Sequence, residues 1–73
     1  NELKIVFDLE EYSYGEIFLY DSLGKLLGSY SSNFKKGRNI YNLQQISSIP
    51  DGLLFLTLET SHKTLTGKVL KIN

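Results

Sequence analysis

The chain has 73 residues with no cysteine, methionine or tryptophan and a single histidine, and its eight basic and eight acidic residues give zero net charge. This length supports one small domain of marginal stability. The missing cysteines exclude a disulfide or thiolate metal site, and the neutral balance argues against a general nucleic-acid-binding protein. No apolar run approaches the roughly 20 residues of a membrane-spanning helix.

The first half of the chain predicts three strands. Apolar and polar side chains alternate from Leu3 to Leu9, which is typical of a half-buried strand. Glu10 to Gly15 is polar and predicts a turn, and Glu16 to Tyr20 predicts the second strand. Asp21 to Gly24 indicates a tight turn, because aspartate can accept backbone hydrogen bonds there and glycine can take a positive φ. Lys25 to Ser31 is then the returning strand of a hairpin.

The second half predicts three more strands. Ser32 to Lys36 is a loop, Gly37 to Leu43 a fourth strand, and residues 44–52 a connection that ends in the turn signal Pro50-Asp51-Gly52. Leu53 to Thr60 is apolar on both faces, which favours a central strand. Lys63 to Ile72 is the last strand, and Gly67 inside it suggests a bulge or kink.

The predicted fold is all-β: a small immunoglobulin-like antiparallel β-sandwich of six to seven strands. Residues 1–73 form its single domain. Because the chain opens with Asn1 and not methionine, we expect it to be a piece or a processed product of a longer protein. The strand pattern that runs to Ile72 predicts a natural end there.

Catalytic and metal sites find little support in the residue types. His62, the only histidine, lies in a predicted turn, and no nucleophile motif accompanies it. Asp8, Glu10 and Glu11 are the only acidic cluster, and we interpret them as surface charges. A loop calcium site that they would share with Asp21 is the alternative. The sequence therefore predicts no enzyme, no catalytic residue, no metal and no cofactor.

Two further features allow binding functions. The five tyrosines could stack on sugar rings, with Tyr12 and Tyr14 in one predicted loop as the best candidates. Burial in the core or on the sheet surface is the alternative for these side chains. The basic stretch from Lys35 to Arg38 is interpreted as a solvated loop. No nucleic-acid partner and no membrane span are predicted.

The chain as a whole resembles a known family. The opening strand, Leu3 to Leu9, is the first matching segment, and Ile17 to Leu27 is similar to the family's apolar strand with Tyr-Asp, Gly-Lys and an apolar pair. Gly37-Arg38-Asn39 and the later Ile49 to Leu56 are similar to its Gly-x-Asn and Leu-x-x-Gly-Ile-Tyr segments, although Leu54 replaces the usual tyrosine. Lys68 to Ile72 resembles its terminal basic and apolar strand. The family is the type IX secretion C-terminal sorting domain (type A, por secretion family) of Bacteroidetes.

The resemblance implies a folded secretion signal for protein transport. Such a domain is linked to a passenger protein upstream and directs it through the periplasm and across the outer membrane. It is recognised by the outer-membrane secretion machinery, and a sortase-like peptidase typically removes it. The passenger is then secreted or held at the cell surface. The domain itself is not an enzyme.

The resemblance and the edge-strand argument together give site predictions. A terminal edge strand offers unpaired backbone groups to a partner, so we predict partner recognition by Lys68, Val69, Leu70, Lys71 and Ile72. The lysines would supply charge and the other three residues apolar contacts. Turn-forming roles are predicted at family positions Asp21, Gly24, Lys25, Gly37, Asn39 and Gly52.

Three alternatives to this site and function remain open. The last strand could simply close the sandwich. The domain could be a carbohydrate-binding or structural immunoglobulin-like accessory module of a secreted enzyme or adhesin. Edge-strand pairing could also give a weak homodimer.

Overall fold

A computed structural model of the chain describes residues 2–44 and 46–72. Six antiparallel strands make up most of this part of the chain, and a single 3₁₀ turn, Ile46–Ser48, lies between the fourth and fifth. The strands are β1 (Glu2–Leu9), β2 (Ser13–Tyr20), β3 (Leu26–Phe34), β4 (Gly37–Gln44), β5 (Gly52–Thr60) and β6 (Thr64–Lys71). No helix in the described residues is long and apolar enough to cross a membrane.

The strands form two sheets of unequal width. One sheet has two strands in the order β1-β4, and the other has four in the order β3-β2-β5-β6. The predicted all-β sandwich of antiparallel strands is therefore confirmed. The prediction that Leu53 to Thr60 forms a central strand is also confirmed, because β5 pairs with β2 on one side and β6 on the other.

The core lies between the two sheets and follows the alternation of each strand. One cluster of buried side chains joins β1, β2, β3 and β5, and a second joins β2, β4 and β5. The members are Leu9, Ile17, Phe34 and Leu58 in the first cluster and Leu19, Leu43 and Leu54 in the second. Both sheets contribute to each cluster, so removal of these side chains from water holds the sheets together.

The β2–β3 hairpin is longer than the sequence predicted. β2 begins at Ser13 and β3 continues to Phe34, and these two residues pair in register. The predicted turn at Glu10 to Gly15 and loop at Ser32 to Lys36 are therefore each partly strand. Phe34 is buried, and its ring meets Phe7 edge-on with the centroids 5.2 Å apart. This apolar contact outweighs the weak β-propensity of the serines and the asparagine that precede Phe34.

Gly67 does not form the bulge or kink that we predicted. The β5–β6 register runs without a shift from Gly52–Lys71 to Glu59–Thr64, with Gly67 opposite Leu56. The irregularity lies in the β2–β3 hairpin, where the pairing shifts between Leu19 and Tyr20. A Cβ atom at Gly67 would have no heavy atom within 4 Å, apart from its chain neighbours. The glycine therefore leaves open space beside an otherwise regular strand.

Asp21 organises the hairpin turn with its side chain and its backbone. Its Oδ1 accepts hydrogen bonds from the backbone N–H groups of Leu23 and Lys25, each at 2.9 Å. Its carbonyl oxygen accepts from Gly24 N at 3.0 Å, and its own N–H donates to the Lys25 carbonyl at 2.9 Å. Gly24 has a φ of 87°, a backbone conformation that side chains with a Cβ rarely adopt.

Replacing Gly24 with valine is expected to destabilise the fold through the backbone alone. No neighbouring heavy atom lies within 4 Å of the added Cβ, so a steric clash does not contribute. A branched residue at positive φ costs about 1–2 kcal/mol, which lowers the melting temperature of a domain of this size by roughly 4–16 °C. Thermal melting followed by circular dichroism measures the effect, and an unchanged melting temperature would contradict the turn assignment.

Candidate functional site: two recognition surfaces

The terminal strand presents only part of its predicted recognition set to solvent. Leu70 and Ile72 are exposed, and Lys68 is exposed beside them. Val69 is half-buried and packs against the core cluster around Leu19. The apolar surface that β6 offers to a partner therefore comes from Leu70 and Ile72.

Lys71 is buried, so the prediction that it supplies exposed charge is wrong. Its side chain is only 5 % exposed, and its Nζ donates to Asp51 Oδ1 at 2.8 Å. The alternation of β6 turns Lys71 to the same side as Val69, and the pairing of Gly52 with Lys71 brings Asp51 within reach. This ion pair ties the end of β6 to the turn that begins β5.

Replacing Lys71 with methionine is expected to lower the free energy of unfolding by about 1 kcal/mol. Methionine keeps the apolar length of the side chain but removes the ion pair between Nζ and Asp51 Oδ1, and the half-exposed carboxylate recovers part of that loss from water. Lys68→Met is the control on the exposed side of β6, where a change within about 0.5 kcal/mol is expected. Chemical denaturation measures both free energies of unfolding. Equal values for the two variants would show that the ion pair does not stabilise the fold.

The outward side of the four-stranded sheet carries an apolar surface, which we call the outer face. One row of it crosses all four strands in register, with Leu26, Tyr20, Phe55 and Lys68 side by side. Leu53 pairs with Leu70 in the adjoining row, and the Phe18 ring stacks on Tyr20 with centroids 6.4 Å apart. Leu26, Leu53, Phe55 and Leu70 are all exposed. Neighbouring exposed apolar side chains are a common feature of interaction sites, so the outer face is a candidate site.

The family-type turn residues shape loops at the ends of the strands. Asn39 is buried; its Oδ1 accepts from Lys35 N at 3.1 Å, and its Nδ2 donates to the carbonyl oxygens of Lys35 and Gly37 at 2.9 and 3.2 Å. Gly37 has a φ of 94° and Gly52 a φ of 126°. The Asn39 side chain of the Gly-x-Asn segment therefore stabilises the β3–β4 loop through hydrogen bonds to its backbone. The Lys25 backbone forms two hydrogen bonds with Asp21, while its side chain is exposed.

His62 lies in the β5–β6 turn and is exposed. Its Nδ1 lies 3.4 Å from Ser13 Oγ and 3.1 Å from Ser61 Oγ, and its Nε2 lies 3.5 Å from a Glu11 carboxylate oxygen. These contacts connect the β1–β2 loop with the β5–β6 turn. The sequence did not predict this grouping, since Ser13 and Glu11 lie about fifty positions from His62 and local patterns do not show such pairings.

Asp8 and Glu11 of the predicted surface cluster and Asp21 of the calcium alternative contact different residues. Asp8 pairs with Arg38 at 3.6 Å, Glu11 contacts His62, and Asp21 is engaged in the hairpin turn. Among the described residues, no group of three or more histidines and carboxylates is placed to hold a metal ion. The calcium alternative therefore has no support from the geometry.

The tyrosines do not form one platform. Tyr12 and Tyr14 are exposed, in the β1–β2 loop and on β2 respectively. Tyr30 instead packs against both core clusters and lies 6.4 Å from the Tyr41 ring, centroid to centroid. A sugar-binding surface would need the exposed rings in one plane, and Tyr30 points to the inner side of its sheet. Tyr30 is therefore not available to such a surface. The carbohydrate alternative, for which Tyr12 and Tyr14 are the best candidates, stays a prediction.

A second surface is a groove between the free edges of β1 and β6, which we call the edge groove. It encloses about 290 Å³. Its apolar lining comes from Leu3, Ile5 and Phe7 on β1, from Leu65 and Val69 on β6, and from Ile17, Leu56 and Leu58 between them. Lys4 and Lys68 are also among its lining residues, and no acidic side chain that the structure describes lines it.

Comparison with known proteins gives one family match. The model of the secretion system C-terminal sorting domain matches residues 1–72, which is nearly the whole chain. No curated protein and no solved structure matches the chain. The match extends over all six strands, so it concerns the complete sandwich.

Proposed function

This chain belongs to the family of type IX secretion C-terminal sorting domains, and on that premise we propose that the outer-membrane secretion machinery recognises it through the outer face of the folded sandwich. As a sorting signal, the domain directs export toward the outer membrane and the cell surface or medium. The recognised surface centres on the C-terminal strand, with Leu70 and Ile72 as apolar contacts and Lys68 as the charged contact. Leu53 and Phe55 on β5 extend it.

A single observation supports this choice of surface. Leu70 is 61 % exposed although it is a large apolar residue, and its cross-strand neighbour Leu53 is exposed too. Exposed apolar side chains in contact with one another are costly in water and gain free energy when a partner covers them. The free backbone edge of β6 lies beside them, because β6 pairs only with β5 among the described strands. Apolar contacts and strand edge can therefore act together.

Photo-crosslinking tests the proposed surface directly. A photoreactive amino acid is placed at position 70 in a passenger fusion, and the matched control carries it at position 40. Ile40 is 60 % exposed and lies on the other sheet, so the two probes have equal access to solvent. We expect a crosslink to an outer-membrane component of the secretion system from position 70 only. Equal crosslinks from both positions, or crosslinks from position 40 alone, would contradict the proposal.

We further propose that a sortase-like peptidase removes the domain after translocation and that the domain has no catalytic role of its own. The only histidine is exposed in the β5–β6 turn. Its Nδ1 is within hydrogen-bond distance of the Ser61 and Ser13 hydroxyls, and these contacts connect the turn to the β1–β2 loop, which supports a structural role. Mass spectrometry of an exported passenger checks the cleavage. Recovery of passenger molecules that lack residues 1–73 is expected, and an exported passenger that always retains the domain would exclude removal.

A further inference from the structure

The two sheets cover each other incompletely. Neighbouring strands lie about 4.8 Å apart, so the two strands of one sheet can cover only about half the width of the four-stranded sheet. The uncovered part lies beside β1 and over β6, where the edge groove is found. Leu3, Ile5, Leu65 and Val69 face the interior there but are only half-buried.

The free edge of β1 borders this uncovered strip. Among the described residues β1 pairs only with β4. In an antiparallel strand, alternate residues direct their N–H and C=O groups to opposite edges, so part of the β1 backbone points toward the groove. One more strand beside β1 would pair with these groups and would cover the half-buried side chains. A strand added to β6 instead would widen the larger sheet and leave the strip open.

The lining also constrains the chemistry of what can enter. The walls are apolar. Gly67 lies on β6 between Leu65 and Val69, whose side chains line the groove, and its missing side chain leaves open space between them. Among the lining residues whose side chains the structure describes, the charges come from Lys4 and Lys68, both of which are exposed. The groove therefore complements a segment with apolar side chains on one face and carboxylates on the other.

From this arrangement we propose that the edge groove binds an extended segment of a partner protein as a third strand beside β1. The segment is about five residues long, matching Leu3 to Phe7 on the groove wall. It carries apolar residues at alternate positions and acidic residues between them. Backbone hydrogen bonds with β1 contribute affinity for any extended segment. The apolar side chains of the segment and its contacts with the two lysines make the binding selective. Lys68 borders both this site and the outer face, but the apolar lining of the groove shares no residue with the outer face. The proposal does not depend on the function proposed for the outer face.

Gly67→Val provides the sharpest test. Gly67 has no positive φ, and its Cβ would project into open space, so the valine fills the groove without straining the strand. Valine also favours a β-strand over glycine, so the stability of the domain should hold or rise. Ser31→Val is the matched control, since it places the same side chain at an exposed position of β3 outside the groove.

Synthetic peptides serve as probes for residues 1–73. In each peptide valine alternates with aspartate, serine or lysine, and binding is followed by fluorescence anisotropy and by NMR shifts. We expect the aspartate peptide to bind most tightly and the lysine peptide least, with a difference that shrinks as salt rises. The NMR shifts should cluster on β1 and β6. Gly67→Val should weaken the aspartate peptide at least tenfold, and Ser31→Val should leave it unchanged.

Four outcomes would overturn the proposal. These are failure of the aspartate peptide to bind at millimolar concentration, shifts confined to the outer face, equal binding by Gly67→Val, and a preference for the lysine peptide. Sedimentation of the peptide-free domain identifies another occupant: a dimer that Gly67→Val abolishes would assign the groove to a second copy of the chain. Loss of peptide binding when the native upstream segment is attached would assign it to that segment.

Discussion

Leu19→Ala is expected to cost about 2–5 kcal/mol of the free energy of unfolding. Leu19 is fully buried and packs with Leu43 and Leu54, so alanine leaves a cavity between the two sheets. A domain of 73 residues has only about 4–11 kcal/mol in total. A large part of the stability therefore depends on this one side chain, and the ratio of unfolded to folded molecules is expected to rise at least about 30-fold. Guanidinium denaturation measures the loss.

Leu23→Ala is the matched control for that experiment. Leu23 is 93 % exposed in the hairpin turn, so the same substitution should change the stability by no more than about 0.5 kcal/mol. If the folded sandwich is the signal, export of a fused passenger should fall with the folded fraction in Leu19→Ala and stay normal in Leu23→Ala. Normal export by an unfolded Leu19→Ala domain would show that the secretion machinery recognises the unfolded chain and not the folded sandwich.

Leu70→Asp is expected to reduce export at least tenfold while the domain stays folded. The leucine side chain already faces solvent, so a carboxylate there costs little in the folded state. In a bound complex the same carboxylate would be removed from water and placed against the apolar partner surface that Leu70 is proposed to contact, which strongly weakens binding. Export of a fused passenger and the melting temperature of the isolated domain are measured together.

Ile40→Asp is the control for this second prediction. Its exposure is nearly that of Leu70, but it lies on β4, outside the outer face. Normal export with Ile40→Asp and loss with Leu70→Asp would locate recognition on the terminal strand. Equal export by the two variants would remove the outer face from the account and would favour a structural spacer role for the last strand.

Point substitutions are more informative here than truncation. Deleting residues 69–73 removes Leu70 and Ile72, but it also removes Lys71 and its ion pair with Asp51. It takes away the partners that Leu53 and Leu54 have on β6 as well. A loss of export after such a deletion would therefore combine lost recognition with a weakened fold. Leu70→Asp changes the surface alone.

Much of the fold follows from local patterns in the sequence. The alternation from Leu3 to Leu9 predicts β1, and the two-sided apolar run from Leu53 to Thr60 predicts the interior strand β5. The hairpin turn follows from Asp21 and Gly24, whose roles depend on neighbouring backbone groups. Each of these features depends on residues that are close to one another in the chain, so a single sequence is enough to predict it.

Features that depend on distant pairing were not predictable in the same way. Phe34 enters the core because it pairs with Ser13, and the polar residues around it indicate a loop. Lys71 shares the inward alternation of Val69, which was an available signal, but its partner Asp51 lies twenty positions away. The edge groove depends on which strands pair in each sheet, and strand composition alone does not determine that.

A reporter fusion shows whether this domain directs export of an unrelated protein, as proposed for a sorting signal. Residues 1–73 are attached to the C-terminus of a periplasmic fluorescent protein, in a bacterium with an intact type IX system and in a mutant without it. We expect reporter at the cell surface or in the medium of the intact strain only. Reporter retained in the periplasm of both strains would contradict this expectation.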